Sequence, residues 1–344
     1  MKIIKKNIND KNKTFIIAEV GLSHEGSMGL AKSFIDNISN SGADAVKFQM
    51  HYPEFESSKF EKFRKKFSIQ DKTRFDYWER TSFNFDQWKK IKQYSEKKGL
   101  IFLCSPFSNE AVDLLIRLKI SAWKIASGEF NNSLMLSHIK KNSKKPLILS
   151  TGLSTFEEIK KILIQNKIKN NFCILQCNSN YPTKITEIGH NIVKKLKSSF
   201  ICPAGISDHS GSLNSLKIGV AMKANIIETH VTFTKSFFGP DTSASITFSE
   251  LKDLIDFRDL FYDIENSTYS KNKLNTFQIR NKKLFTKSLI LKKDHKKDEK
   301  ILYKNLDTRK PLIGIAAHDY KRVLNKRLKN NKKAGEFLKI KDLK

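Results

Sequence analysis

A (β/α)₈ barrel over residues 1–265, a linker over 266–283 and a small, mostly β unit over 284–344 are predicted for this 344-residue chain. Three observations carry the prediction. Eight short apolar runs of β type recur through the first 231 residues, stretches with helical spacing lie between most of them, and the pattern changes after about Leu284. Alternation of strand and helix favours a parallel sheet, and eight units close into a barrel.

The runs are Phe15–Val20, Ala45–Met50, Ile101–Ser105, Ala122–Ala126, Leu147–Ser150, Phe172–Cys177, Ala204–Ser207 and Ile226–Val231. Helical spacing marks Gly29–Ser41, where Leu30, Phe34, Ile35 and Ile38 share a face, and also Ala111–Leu118, Thr155–Ile164 and Phe248–Ile264. The polar stretch Asn266–Lys273 reads as the core of the linker. Beyond it, Ser288–Asp294, Ile301–Leu302, Ile313–Ile315 and Ala334–Leu338 read as short strands.

Nearly every run of the barrel ends in a residue able to do chemistry: Glu19, Lys47 with Gln49, Ser105, Lys124 leading to Ser127 and Glu129, Ser150, Tyr181, Ser207 with His209, and Glu228 with His230. In a barrel these ends meet at one rim. Side chains two apart in a strand share a face, so Lys47 and Gln49 point together, as do Glu228 and His230. Neutral imidazoles at the mouths of two neighbouring strands, His209 and His230, can hold one divalent metal and leave positions open for substrate. A lysine inside Trp123-Lys124-Ile125-Ala126 is costly in a buried strand unless it is paired or used. Glu228 reads as a partner that orients a histidine. His24 and Glu25 fit either a loop-structuring or a substrate-contacting role. His51, His138, His190, His295 and His318 have no motif company and read as structural or surface residues.

Composition narrows the classes. A hydrophobic content of 39% is compatible with a proper core. Met1–Lys6 lack the apolar stretch of a signal peptide and no apolar run approaches a membrane span, so a cytoplasmic protein without membrane attachment is expected. Cys104, Cys173, Cys177 and Cys202 fall in or beside apolar runs and are expected as free thiols without a part in the chemistry. The net charge of +29 raises an anion- or nucleic-acid-binding barrel as an alternative, since residues 271–344 hold 24 basic against 7 acidic residues. Those basic residues come without interleaved aromatics, and much of the excess reads as lysine-rich bias.

The stretches Ala18-Glu19-Val20-Gly21-Leu22-Ser23-His24-Glu25-Gly26, Val46-Lys47-Phe48-Gln49, Ser105-Pro106-Phe107, Trp123-Lys124-Ile125-Ala126-Ser127-Gly128-Glu129, Ser150-Thr151-Gly152, Tyr181-Pro182-Thr183, Ser207-Asp208-His209 and Phe238-Gly239-Pro240-Asp241 together resemble the sialic acid synthase family. That family comprises N-acetylneuraminate synthases and their legionaminic and pseudaminic acid relatives. The resemblance implies metal-dependent condensation of phosphoenolpyruvate with an N-acetylated hexose, N-acetylmannosamine or a 6-deoxy-diacetamido analogue, to a nine-carbon 2-keto sugar acid and phosphate. The same chemistry on a different acceptor stays open.

By the same resemblance His209 and His230 are metal ligands, for Mn²⁺ by preference with Mg²⁺ or Co²⁺ as alternatives. Lys47, Lys124, Ser105, Ser127 and Ser150 bind phosphoenolpyruvate. Glu129 handles the proton of the water that attacks its C2, while Glu19 and Asp241 bind acceptor hydroxyls and Gln49, Tyr181 and Ser207 shape the same pocket. The C-terminal segment is similar to an antifreeze-like (SAF) domain, which in the family crosses a homodimer to cover the partner's site with one arginine. Here Arg309-Lys310-Pro311 puts Lys310 where the family arginine stands, a point charge in place of a planar fork.

Overall fold

The computed structural model describes residues 1–58, 60–63 and 66–344, in two compact units, Met1–Asn266 and Ser267–Lys344. The barrel of the first unit is built on eight parallel strands, β1 (Phe15–Gly21), β2 (Ala45–Met50), β3 (Ile101–Pro106), β4 (Trp123–Ile125), β5 (Leu147–Ser150), β6 (Phe172–Cys177), β7 (Ala204–Asp208) and β8 (Ile226–Thr232), with a short ninth, Ser245–Thr247, parallel to β8. All but β3 and β4 pair with their neighbours in chain order and β8 pairs with β1, so the sheet curls back on itself. β3 and β4 lie side by side at the seam without a ladder.

Helices follow the strands: α1 (Met28–Ser41), α2 (Phe85–Lys97), α3 (Asn109–Arg117), α4 (Ser133–Asn142), α5 (Phe156–Gln165), α6 (Ile192–Phe200), α7 (Leu213–Ala221) and α8 (Phe248–Glu265). Their starts are written locally. Thr155 and Glu158 form a reciprocal capping box at α5, as Thr247 and Glu250 do at α8. The β2–α2 connection carries two extra short helices, Pro53–Glu56 and Arg74–Thr81.

Strand alternation sorts side chains into two cores. Outward residues such as Val46, Phe48 and Met50 pack with Phe34 and Ile38 of α1 and Trp88 of α2. Inward residues Phe15, Ile17, Ala45, Ile101, Leu103, Ile148, Leu175 and Ile226 form a separate cluster low in the barrel. That cluster is floored by an N-terminal hairpin, Lys2–Ile3 against Lys6–Asn7, which contributes the buried Ile3 and Ile8. Ile3→Ala is expected to lower stability by about 2–5 kcal/mol through the cavity it leaves, read from the urea unfolding midpoint.

The second unit is built on Ser288–Leu291 paired antiparallel with Leu306–Arg309, over a core that includes Leu289, Leu291, Ile301, Ile315, Val323, Leu328 and Leu338. Ile301–Leu302, Ile313–Ile315 and Ala334–Leu338 are not regular strands; this region is joined through isolated bridges such as Ser288 with Ala316 and Ile290 with Phe337. The 306–309 strand is too short and polar to be read, since Leu306 alone of its four residues is apolar and buried. The span expected as linker contains a helix, Thr276–Phe285, started by an Asn275–Gln278 capping box. It buries none of its residues, so no apolar stripe announces it. Among the described residues no helix is long and apolar enough to cross a membrane.

Candidate active site

Up the inside of each strand, apolar side chains give way to polar ones. Phe15 and Ile17 are followed two residues on by Glu19, Ala45 by Lys47 and Gln49, Leu103 by Ser105, Ala122 by Lys124, Ile148 by Ser150, and Ile226 by Glu228 and His230. Lateral register sets Glu19 beside Lys47 on one side and His230 on the other, and Ser207 beside Glu228.

Four buried charges hold the centre. Lys47 Nζ lies 2.9 Å from Glu19 Oε2 and 3.7 Å from Glu228 Oε2, and Lys124 Nζ lies 3.4 Å from Glu228 Oε1. Burial pulls both lysines down, but Glu19 and Glu228 hold Lys47 above its ordinary value, whereas Lys124 stays below its own. Burial also pushes Glu19 up, with Glu228 adding to it; for Glu228 the upward effect of burial is outweighed by Lys124 and Lys47, which hold it low. Glu228 is therefore held as the firm anion, while Glu19 is pushed toward its protonated form. Two ammonium groups facing one firm anion leave the centre receptive to a negatively charged ligand.

Hydroxyls complete that wall. Lys47 donates to Ser105 Oγ at 3.3 Å, Lys124 to Ser150 Oγ at 2.8 Å, and Ser207 Oγ donates to Glu228 at 2.9 Å. Ser127 Oγ accepts from the Gly152 N–H at 3.1 Å and lies 3.1 Å from Cys177 Sγ.

Opposite stand the imidazoles. His209 Nδ1 is 2.8 Å from the Asn178 carbonyl, which can only accept, so the proton sits on Nδ1 and the Nε2 lone pair faces the Tyr181 hydroxyl at 2.9 Å. Burial, with His230 beside it, drops His209 to about 4 and keeps its ring neutral at neutral pH. The two rings are 5.7 Å apart between centroids. Among the described residues no group of three or more His, Cys, Asp or Glu is arranged to hold a metal. Two imidazole donors with the remaining positions left to water and substrate fit an exchangeable divalent ion rather than a closed structural one.

These groups open on one cavity of about 440 Å³. Lys47, Gln49, Lys124, Ser127, Ser150, Tyr181, Ser207, His209, Glu228, His230 and Asp241 line it, and Leu22, Phe63, Phe67, Trp78, Phe107 and Leu153 add an apolar, largely aromatic wall. Residues 34–267, most of this barrel, match the NeuB family. The chain belongs to the NeuB family. It is 34% identical to the N,N'-diacetyllegionaminic acid synthase of Campylobacter jejuni over 95% of this chain and 99% of that one. It is 32% identical to a pseudaminic acid synthase of the same species over 97% of each. A solved structure of N-acetylneuraminic acid (sialic acid) synthetase from Leptospira borgpetersenii superposes with a TM-score of 0.70 at 27% identity, covering 82% of this chain and 94% of that one.

In this NeuB-type synthase the motif residues Glu19, Lys47, Gln49, Ser105, Lys124, Ser127, Ser150, Tyr181, Ser207, His209, His230 and Asp241 line the cavity or bond to groups that do. One is placed apart. Glu129 is half-buried beyond β4, off the cavity wall, where it accepts from the side chain of Asn132, the cap of α4, and burial raises its carboxyl. Lys310 is exposed on the second unit, its ammonium 5.4 Å over the Phe285 ring. Glu228 is held by Ser207 and the two lysines, and the Asn178 carbonyl orients the His209 ring. His24 is fully buried, stacks on Phe83 and accepts from the Gly26 N–H, while Glu25 pairs with Arg80, so both structure their loop.

Two residues set aside in the sequence belong to the wall. Cys177 lines the cavity against Ser127. His51, read there as structural or surface, is buried in the wall and stacked between Trp78 and Phe107. The signal was present, because the spacing of two that joins Lys47 to Gln49 runs on to His51.

Proposed function

We propose that this NeuB-family synthase condenses phosphoenolpyruvate with an N-acetylated hexose, releasing phosphate and a nine-carbon 2-keto sugar acid. The observation that carries the reading is one cavity that gathers two lysines, their hydroxyl partners and the His209–His230 pair. Lys47 and Lys124, with Ser105, Ser127 and Ser150, hold the carboxylate and phosphate of phosphoenolpyruvate. Its C3 bonds to the aldehyde carbon of the open-chain sugar while water adds at C2 and phosphate leaves. No covalent enzyme nucleophile is required.

Glu19, Gln49, Tyr181 and Asp241 face the acceptor's polar groups, with Ser207 keeping Glu228 in place between the lysines. Glu129, its carboxyl raised by burial and set off the cavity wall, is the candidate to exchange the proton of the attacking water through a bridging water. A divalent ion held by His209 and His230, Mn²⁺ by preference with Mg²⁺ or Co²⁺ as alternatives, supplies Lewis-acid polarisation of the aldehyde when bound. The aromatic wall matches the 6-deoxy-diacetamido acceptor better than N-acetylmannosamine, because a methyl and a second acetamido group present more apolar surface to Phe67, Trp78 and Phe107.

The test is phosphate release from phosphoenolpyruvate with Mn²⁺ and each acceptor, with and without EDTA. Sugar-dependent release, greatest with the 6-deoxy-diacetamido sugar, lost in EDTA and restored by excess Mn²⁺, is the expected result. Release that ignores the sugar, or silence with every N-acetylated hexose, would sink the reading.

A further inference from the structure

His51 sits in a clamp that packing alone does not require. Its ring stacks on Trp78 at 4.6 Å and 7° and on Phe107 at 4.0 Å and 19°, so both faces are covered and only the two nitrogens are left to act. Each nitrogen is engaged. Nδ1 lies 2.6 Å from Glu56 Oε1 and Nε2 lies 3.2 Å from Gln49 Oε1. On its other side Gln49 donates through Nε2 to Glu19 Oε1 at 2.9 Å.

The donor and acceptor chemistry fixes a direction along this chain. Gln49 uses its N–H toward Glu19, so its carbonyl oxygen faces His51, and His51 Nε2 must carry the proton. A hydrogen also lies between Nδ1 and Glu56, since two lone pairs at 2.6 Å would repel. Without this relay the Gln49 amide, on a side chain with three rotatable bonds, loses the donor that holds its carbonyl oxygen.

We propose that Glu56 and His51 are positioning residues that fix the Gln49 amide and, through it, Glu19 in the acceptor-binding part of the cavity. This rests on the assignment of Glu19 and Gln49 to the acceptor. The relay runs through the β2 end and the Pro53–Glu56 helix that follows it, and meets the lysine wall only at Glu19, which pairs with Lys47.

The test pairs His51→Phe, which keeps a stacking ring and removes both nitrogens, with Glu56→Ala and Glu56→Gln in the full-length protein. His51→Phe and Glu56→Ala are expected to raise the acceptor KM by about tenfold or more while the phosphoenolpyruvate KM stays within about twofold. Glu56→Gln is expected to rescue, because its amide donates to Nδ1 of a neutral ring whose Nε2–H still reaches Gln49. Equal losses for both substrates accompanied by a lowered Tm, or no loss at all, would overturn the proposal. A crystal structure of His51→Phe answers independently of turnover: Gln49 swung off Glu19 supports the relay, and the Gln49–Glu19 bond unchanged overturns it. A wild-type protein inert toward every acceptor would instead count against the proposed reaction and leave this structural readout to decide the relay.

Discussion

Lys124→Met and Lys47→Met are each expected to cut phosphate release by roughly 10³-fold, and to differ in what they do to the fold. Both remove an ammonium from the wall assigned to phosphoenolpyruvate. Lys124, however, is the chief counter-charge of Glu228, the carboxylate held low and buried among Ser207 and the lysines. Its removal leaves Glu228 only the more distant Lys47 at 3.7 Å, and breaking a buried pair costs up to about 3–5 kcal/mol. Lys47 pairs most closely with Glu19, whose carboxyl burial already pushes toward the protonated form, so its loss is absorbed by proton uptake. Lys124→Met should therefore show the larger drop in urea midpoint at similar loss of turnover. Either variant within tenfold of wild-type turnover would contradict the assignment of this wall.

Gly205→Ala should leave little folded protein. Gly205 lies in β7 where a Cβ would fall 1.9 Å from the Ile226 carbonyl oxygen and 2.8 and 2.9 Å from the backbone C and N of that residue. A neighbouring backbone cannot rotate away as a side chain can, so β7 and β8 must part. The ladder broken is the one that sets Ser207 opposite Glu228. A destabilisation above about 4 kcal/mol, beyond the usual range of single substitutions, is expected from soluble yield and chemical unfolding. Gly128→Ala is the control: nothing lies within 4 Å of the added carbon, and its stability should change by less than about 0.5 kcal/mol. A Gly205→Ala protein with an unchanged unfolding midpoint would refute the close-approach argument.

Much of the barrel could be read from the chain because strand alternation is a local signal. Ala45–Met50, Leu147–Ser150 and Phe172–Cys177 coincide with their runs, and the other five strands differ by one residue at one end or at both. The second unit was harder. Its core is eight residues drawn from short, irregular segments, and the polar strand 306–309 owes its place to pairing with Ser288–Leu291 rather than to a pattern of its own. The helix at 276–285 was hidden for the related reason that no face of it is buried.

Within the site, spacing of two along a strand determined which side chains look inward together: Lys47 with Gln49, Glu228 with His230, and, had it been followed one step further, His51. What the sequence could not decide is which of these inward groups meet across the barrel. Lys47 is 181 residues from Glu228, yet their charges share one centre, and that meeting depends on the pairing of β8 with β1 and the closure of the sheet. The same holds for the aromatic clamp on His51, made by a ring from the Arg74–Thr81 helix and another from just beyond β3. Periodicity is fixed by backbone geometry within a few residues, so the chain alone determined the faces. Proximity between distant segments comes only from packing, so the tertiary structure decided the charge of the centre, the distance of Glu129 from it, and the place of His51 in its wall.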